Sequence, residues 1–365
     1  MRKFIFIVLI LLIVANLLFR IFSYGPRYGE DLSGEYWEER YLQSQWVVPN
    51  SQFPIGDDGL YAYHGWELVK GGDPSIINPE VPPLGKYIIG VFVQVFNNNN
   101  IFGIFSVIFA LVAYFLLNKQ LFNNTLLALV PVTIFSLEPL LFEQLQASFL
   151  DAFHLGLLML TFYFFLRKNY LVAAFLLGCF AVVKFSYLLF FVIAAEIGFV
   201  ILQKKYQDLK RVSISYLLLP VVILISYTAF FLHGNTLLDF GRLQKFILTF
   251  YSQGAKPPFF GMVFPMIFFK EWHTWWDAGV LTVREWTVLW PLSFLTSIFT
   301  LRYLKALIAS PFLLLAVWCC GYLLFLFLTP VWPRYLLLLL PFLYNLSIWV
   351  LSQNTATRSF FARFL

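Results

Sequence analysis

Leu84-Gly85-Lys86-Tyr87-Ile88-Ile89-Gly90-Val91-Phe92-Val93-Gln94-Val95-Phe96 follows Pro82-Pro83 and carries Lys86 and Gln94 within an apolar background. A spanning helix needs about 20 apolar residues, so this stretch is expected to lie along an interface rather than cross it. Around it run longer apolar stretches at 4–22, 101–117, 124–142, 150–166, 170–184, 186–203, 212–232, 286–301, 306–328 and 334–351, each near the length of a tilted crossing. With 84–96 outside, Arg2-Lys3, Asn118-Lys119-Gln120, Arg167-Lys168, Lys204-Lys205 to Lys210-Arg211, Arg302 to Lys305 and a tail with Arg358 and Arg363 share one face, and Asp208 is the single acid among them. Lys and Arg are retained in cytoplasmic loops, so that face, with both termini, is expected to be cytoplasmic. Were 84–96 a crossing, parity would turn Arg167-Lys168 and 204–211 outward. The proline-broken stretch 257–269 is expected to dip into the membrane from an outer loop.

Composition supports the same class. Of 365 residues, 60% are hydrophobic and 12% charged, against roughly 25% charged in soluble domains. Aromatic residues reach 20%, with 44 Phe, which excludes a disordered chain. The net charge of +6 reports loop asymmetry and not a nucleic-acid partner. Cys179, Cys319 and Cys320 sit in apolar runs and lack the spacing of a zinc site. The run behind Met1-Arg2-Lys3 shows no small-residue cleavage site after Leu18 and reads as an uncleaved first helix. The expected fold is an all-α polytopic plasma-membrane protein with about ten transmembrane helices, one domain over 1–365 in contact with membrane lipids. A first extracytoplasmic loop, 23–100, is expected to carry short juxtamembrane helices, and a second loop covers 233–285. The run Asn97 to Asn100 reads as a polar turn.

Loops held by a rigid scaffold carry most function. In the first loop, Gly56-Asp57-Asp58-Gly59-Leu60-Tyr61-Ala62 places two carboxylates side by side. Their repulsion raises one pKa and suits it to proton acceptance, although Asp at a helix start also serves as a cap. Asp151, in Ser148-Phe149-Leu150-Asp151, opens an apolar run, where an uncompensated charge costs several kcal/mol. Glu138 and Glu143 precede it and rank lower as boundary acids. Lys184 and Arg334 are outer-surface cations, against the usual bias; a phosphate partner accounts for them, as does snorkelling toward headgroups. The second loop holds His233, Asp239, Lys256, His273, Trp272, Trp275 and Trp276. No nucleophile elbow, P-loop, Rossmann fingerprint or His-Glu-x-x-His occurs, and His64, His154, His233 and His273 lack ligand spacing. No metal site and no cofactor is expected.

Taken in order, these segments resemble the C-type (GT-C) glycosyltransferases, specifically the protein O-mannosyltransferases and the lipid A aminoarabinose transferases. Asp57-Asp58 looks like that family's Asp-Glu pair. Glu80-Val81-Pro82-Pro83-Leu84-Gly85-Lys86 is similar to His-Pro-Pro-Leu-Gly-Lys, with Val81 in place of His. Ser148 to Asp151 looks like the Leu-Leu-Asp segment without its preceding Arg, and Gly178 to Ser186 is similar to the glycine-rich helix ending in Lys-x-Ser. A fainter likeness is Trp286 to Pro291, near the family's Trp-Pro segment. The resemblance implies inverting transfer of a sugar from a polyprenyl-phosphate carrier to a protein or lipid/glycan acceptor at the extracytoplasmic face. Lys184 and Arg334 would stabilise the leaving phosphate, Asp57 would take the acceptor proton, and Asp58 and Asp151 would orient the reactants. Tyr61, Lys86, His273 and Trp276 are the further substrate-loop candidates; Tyr61 and Trp276, with Trp66, Trp272 and Trp275, offer faces for a pyranose. The alternative class is a non-enzymatic transporter of lipid-linked saccharide, or a surface-polysaccharide polymerase or ligase. Mid-helix ionisable residues, of which Glu196 is the clearest, are too few to favour transport.

Overall fold

The computed structural model describes residues 2–254, 257–277 and 279–353; Lys256, Arg358 and Arg363 lie outside them. The described chain is helical apart from one two-stranded hairpin, Glu271–His273 paired antiparallel with Val280–Thr282. Three helices are long and apolar enough to cross a bilayer: Arg2–Ser23, Ile101–Phe122 and Tyr206–Ser226. The first of these packs on Thr125–Ser136 through partly covered Ile13, Leu17 and Ile21 and fully buries none of its residues, and an apolar helix so exposed along its other faces is stable in lipid, not in water. Six apolar helices are shorter, among them Asp151–Leu166, Tyr170–Ala181, Leu188–Leu202 and Phe312–Leu328.

Several breaks fall at prolines, which lack a helical donor, although Pro131 is accommodated inside Thr125–Ser136. The run 124–142 divides into Thr125–Ser136 and Pro139–Glu143, 306–328 breaks before Phe312 at Ser310-Pro311, and 334–351 opens with a tight 3₁₀ turn, Pro333–Leu338, before Leu340–Gln353. Stretch 257–269 yields the seven-residue helix Val263–Phe269, whose Val263, Met266 and Ile267 are buried in protein. Asp151–Leu166 packs between Ile101–Phe122 and Tyr170–Ala181, and its Phe162 meets Trp318 and Phe342 in the core.

Between Arg2–Ser23 and Ile101–Phe122 the chain forms the helices Gly34–Leu42, Asp57–Val69 and Pro83–Phe96, with one short turn of helix before them. Pro83–Phe96 has 14 residues and lies along Asp57–Val69. Two glycines allow this contact, since a Cβ on Gly65 would collide with the Lys86 carbonyl and a Cβ on Gly90 with the Gly65 carbonyl. Asn97, at φ 49°, ends the helix in the left-handed conformation that Asn tolerates.

The asparagines that follow form a turn, but a buried one. Asn98 donates to the carbonyls of Arg27 (2.8 Å) and Glu30 (2.9 Å), and the Leu32 amide donates to Asn97 O (2.8 Å). Trp37 Nε1 donates to Asn99 Oδ1 (3.1 Å), Asn99 Nδ2 to Ser148 Oγ (2.8 Å), and Ser148 Oγ to the Asp58 carbonyl (3.1 Å). Buried amides need such partners, and this relay fixes the start of Asp57–Val69 against the chain before Asp151.

The Gly65 contact has a diagnostic sign. Helix propensity alone would make Gly65→Ala stabilising by about 1 kcal/mol; the collision makes it destabilising by about 1–3 kcal/mol. A lowered thermal midpoint of the detergent-solubilised protein is the expected outcome, and a raised one contradicts the close approach.

Candidate active site

Asp57 and Asp58 occupy the first turn of Asp57–Val69 behind an extended Gly56, where negative charge suits the helix dipole. That is the position of a cap, but the Asp57 side chain reaches across the molecule to ion-pair with Arg334 Nη2. Arg334 stands at the opening of Pro333–Leu338, and its Nε lies 3.7 Å from Asp151 Oδ2. Asp151 begins the helix Asp151–Leu166, and its Oδ1 accepts from Lys184 Nζ at 2.6 Å. Lys184 sits in the break between Tyr170–Ala181 and Leu188–Leu202. Four side chains from four distant segments therefore alternate in charge, Asp57, Arg334, Asp151, Lys184. Side-chain exposure falls along the line from 44% at Asp57 through 11% at Arg334 to 3% at Asp151 and 4% at Lys184.

Backbone contacts hold the line in place. The Leu84 amide donates to Val182 O at 3.0 Å. A Cβ on Gly85 would lie 2.9 Å from Val183 O and against Leu150. The Pro82-Pro83-Leu84-Gly85 segment thus clamps the loops that carry Lys184 and Asp151.

The exposed end opens into a cavity of about 710 Å³ whose charged lining is Asp57, Asp58, Glu143, Arg284, Glu285 and Arg334, with Phe149, Trp272 and Trp332 as aromatic walls. The Arg334 guanidinium lies 4.9 Å from the Phe149 ring and 5.2 Å from that of Trp332. Burial pushes the Asp58 carboxyl up, against the pull of the Gly59 and Asp58 amides and with a smaller push from Asp57. Glu143, just past the run 124–142, is pushed up to about 7 by burial and next by Glu285. The cavity thus combines two cations with carboxylates of differing proton affinity, the components required to hold an anionic leaving group and accept a proton.

Asp57, Asp58, Asp151, Lys184 and Arg334 converge here. Tyr61 is buried one turn beyond Asp57. Lys86 does not line the cavity: its Nζ donates to the carbonyls of Asn78 (2.8 Å) and Ile77 (3.4 Å), and burial, opposed by Glu80, pushes it down to about 7. His273 and Trp276 line a separate recess of about 330 Å³ on the hairpin, where His273 Nε2 is 3.6 Å from Glu271 and Trp276 stacks on Trp332 at 5.1 Å. Trp272 Nε1 donates to Val331 O at 2.8 Å, tying the hairpin to the segment before Arg334. Glu138 accepts from Trp290 Nε1 (2.9 Å) and Tyr344 OH (2.6 Å), so part of the Trp286 to Pro291 segment serves helix packing. The other histidines are structural: His64 is buried and pushed down to about 2 by burial and Lys86, His154 stacks on Phe180 at 3.8 Å, and His233 Nε2 meets Gly71 O at 2.8 Å. Among the described residues no group of His, Cys, Asp and Glu is arranged to hold a metal.

The cavity also contains residues that sequence reasoning passed over. Glu143 was marked only by its place at the end of an apolar run, and Trp332 by its neighbours Pro333-Arg334. Arg284 and Glu285 carry no sequence signal, since the hairpin delivers them.

No family model and no curated protein matches the chain. Its fold is that of ArnT from Cupriavidus metallidurans, a lipid A aminoarabinose transferase of the C-type class. The crystal structure of ArnT bound to undecaprenyl phosphate superposes with a TM-score of 0.59 and the apo structure with 0.60. In both the sequence identity is 16%, and the match covers 84% of this chain and 57% of ArnT. The chain thus spans little more than half the length of that enzyme.

Removing one member of a buried pair strands the other charge and costs about 3–5 kcal/mol. Lys184→Met is expected to destabilise the protein by about 3 kcal/mol, Arg334 offsetting part of the loss, and adding Asp151→Asn is expected to restore more than half. Thermal unfolding of the two single variants and the double variant checks this; additive losses would deny the pairing.

Proposed function

We propose that the chain is a polytopic glycosyltransferase that moves a sugar from a polyprenyl-phosphate carrier to an acceptor at the extracytoplasmic membrane face, with inversion at the anomeric carbon. The observation that carries this reading is the Asp57–Arg334–Asp151–Lys184 line running from an open cavity to a buried cation. In this reading ten crossings leave both termini in the cytoplasm and the cavity outside. The ArnT fold supports it, as does the undecaprenyl phosphate held by one of the ArnT structures.

Arg334 receives the donor phosphate, and Lys184, buried behind it on Asp151, adds positive charge that helps neutralise the charge growing on the phosphate as the bond to the sugar breaks. Asp57, the exposed carboxylate, takes the proton of the acceptor hydroxyl or amine while the oxygen or nitrogen bonds to the anomeric carbon. The phosphate departs on its lipid. Asp151 holds the two cations in register, and Asp58, whose proton affinity is raised, hydrogen-bonds acceptor or sugar. Trp272 and Trp332 offer ring faces to a pyranose. Tyr61 and Lys86 hold the loop, and His273 and Trp276 border the acceptor side. Both a protein and a lipid or glycan fit as acceptor, and mannose is the sugar the motif resemblance favours. The transporter reading has less support: Glu196, the clearest mid-helix acid, is engaged by Tyr216 OH at 2.6 Å.

In proteoliposomes supplied with polyprenyl-phosphate sugar, Asp57→Asn is expected to lower transfer at least a hundredfold with folding intact, consistent with loss of a general base. Lys184→Ala is expected chiefly to raise the donor KM. Full activity in Asp57→Asn removes the base role. A second outcome concerns pH. As pH rises through about 7, Glu143 loses its proton and adds negative charge to a cavity that must accept a phosphate. Glu143→Gln and the parent are expected to bind undecaprenyl phosphate equally at pH 6. At pH 8.5 the variant is expected to bind about fivefold tighter, since one unit charge in the cavity lining contributes on the order of 1 kcal/mol at an effective dielectric of about 20. Parallel titration curves would contradict this.

A further inference from the structure

The chain leaves the long helix Tyr206–Ser226 through Thr228–Leu232 and turns at Gly234 (φ 86°). Two contacts pin the turn to the first outer loop: His233 Nε2 with Gly71 O at 2.8 Å, and Asn235 Nδ2 donating to Asp73 Oδ2 at 2.9 Å. Leu237–Gly254 follows at once, an 18-residue helix. At about 100° per residue, Phe240, Leu243 and Ile247 form a central stripe that packs on Val182, Tyr227 and Phe230. On the two shoulders of that stripe lie Leu237 and Leu248 on one side and Phe246 and Phe250 on the other, exposed by 70%, 54%, 46% and 41%. Lys245 projects from the opposite face, where no ion pair engages it among the described residues, and Arg242, at the edge of that face beside Phe246, pairs at 2.9 Å with Asp239 on the Phe246 shoulder. Leu238, also exposed, lies toward this charged edge.

The protein covers only the middle of an apolar arc. Phenylalanine and leucine on both shoulders with cations opposite is the pattern of a helix lying in a membrane interface. The shoulders also continue the exposed apolar surface of Val221, Leu224, Ile225 and Leu232, which belongs to the crossing helix and its extension. We infer that Leu237–Gly254 lies in the phospholipid leaflet at the headgroup–acyl boundary, with its shoulders among acyl chains and Arg242 and Lys245 at lipid phosphates. Because its stripe covers Val182, two residues before Lys184, the helix sets the height of Lys184 against the phosphate plane. That consequence rests on the donor role proposed for Lys184; the lipid contact does not.

The test uses single-cysteine variants Lys245→Cys, Phe246→Cys and Leu248→Cys of the full chain, with Cys179, Cys319 and Cys320 replaced by Ala, labelled with a small fluorophore in phosphatidylcholine vesicles. Labels at 246 and 248 are expected to lose at least half their emission to brominated acyl chains and little to aqueous iodide, with the reverse at 245. Iodide quenching at all three positions, or quenching by neither agent at 246 and 248, overturns the inference. A photocrosslinking amino acid in place of Phe246, in the chain with its own cysteines, gives a second measurement independent of the cysteine background. A phospholipid adduct by mass supports the assignment, and crosslinks to protein alone overturn it. Neither readout involves sugar transfer, so failure of the catalytic reading would be distinguishable.

Discussion

A charge removed from water must find its counter-charge, and at one end of this helix bundle that requirement organises the surrounding fold. Asp151 and Lys184 are almost fully covered and satisfy each other; Arg334 lies between Asp151 and the more exposed Asp57. None of these residues is local to another: Asp57 and Arg334 stand 277 positions apart, Asp151 and Lys184 33 apart. Each is placed by the start of a helix or by a break between helices. The same breaks that shorten the apolar runs are what bring charged side chains to one depth. A bundle of uninterrupted helices would offer no such positions.

The segments between the long helices act as a frame for that line. Pro83–Phe96 rests on Asp57–Val69 through facing glycines, the Leu84 amide bonds the chain before Lys184, and the Trp37–Asn99–Ser148 relay ends on the Asp58 carbonyl. The hairpin closes the opposite side through Trp272 and Val331. Motif residues that make no contact with the cavity, Pro82 to Lys86 foremost, thereby acquire a physical reason. They position the groups that do face it.

Much of this was legible in the sequence because lipid imposes simple rules. Apolar runs, the basic inner pieces and the prolines before 84–96 pointed to a polytopic helical protein with a structured outer loop, and the residue types of Asp57, Asp151, Lys184 and Arg334 were out of place for that environment. Long-range pairing was not legible, since nothing local to Asp57 announces Arg334. Helix lengths were also misjudged where a polar break interrupts an apolar run, as at Glu138-Pro139. The assignment of Lys86 to the substrate loop rested on a motif, whereas its ammonium is spent on the carbonyls of Ile77 and Asn78. Glu285 escaped, and Glu143 ranked low, because their importance arises from the hairpin's arrival and not from their neighbours in the chain.

The wide spacing of the charged partners bears on how the protein is made. Synthesis runs from the amino end, so Asp151 meets its ammonium partner within a few dozen residues, whereas the guanidinium that bridges both carboxylates belongs to the turn Pro333–Leu338, 150 positions after Lys184. Until that turn arrives, the nascent bundle holds an acidic mouth without its keystone. The Arg334 bridge therefore closes only after the three other charged groups have been made.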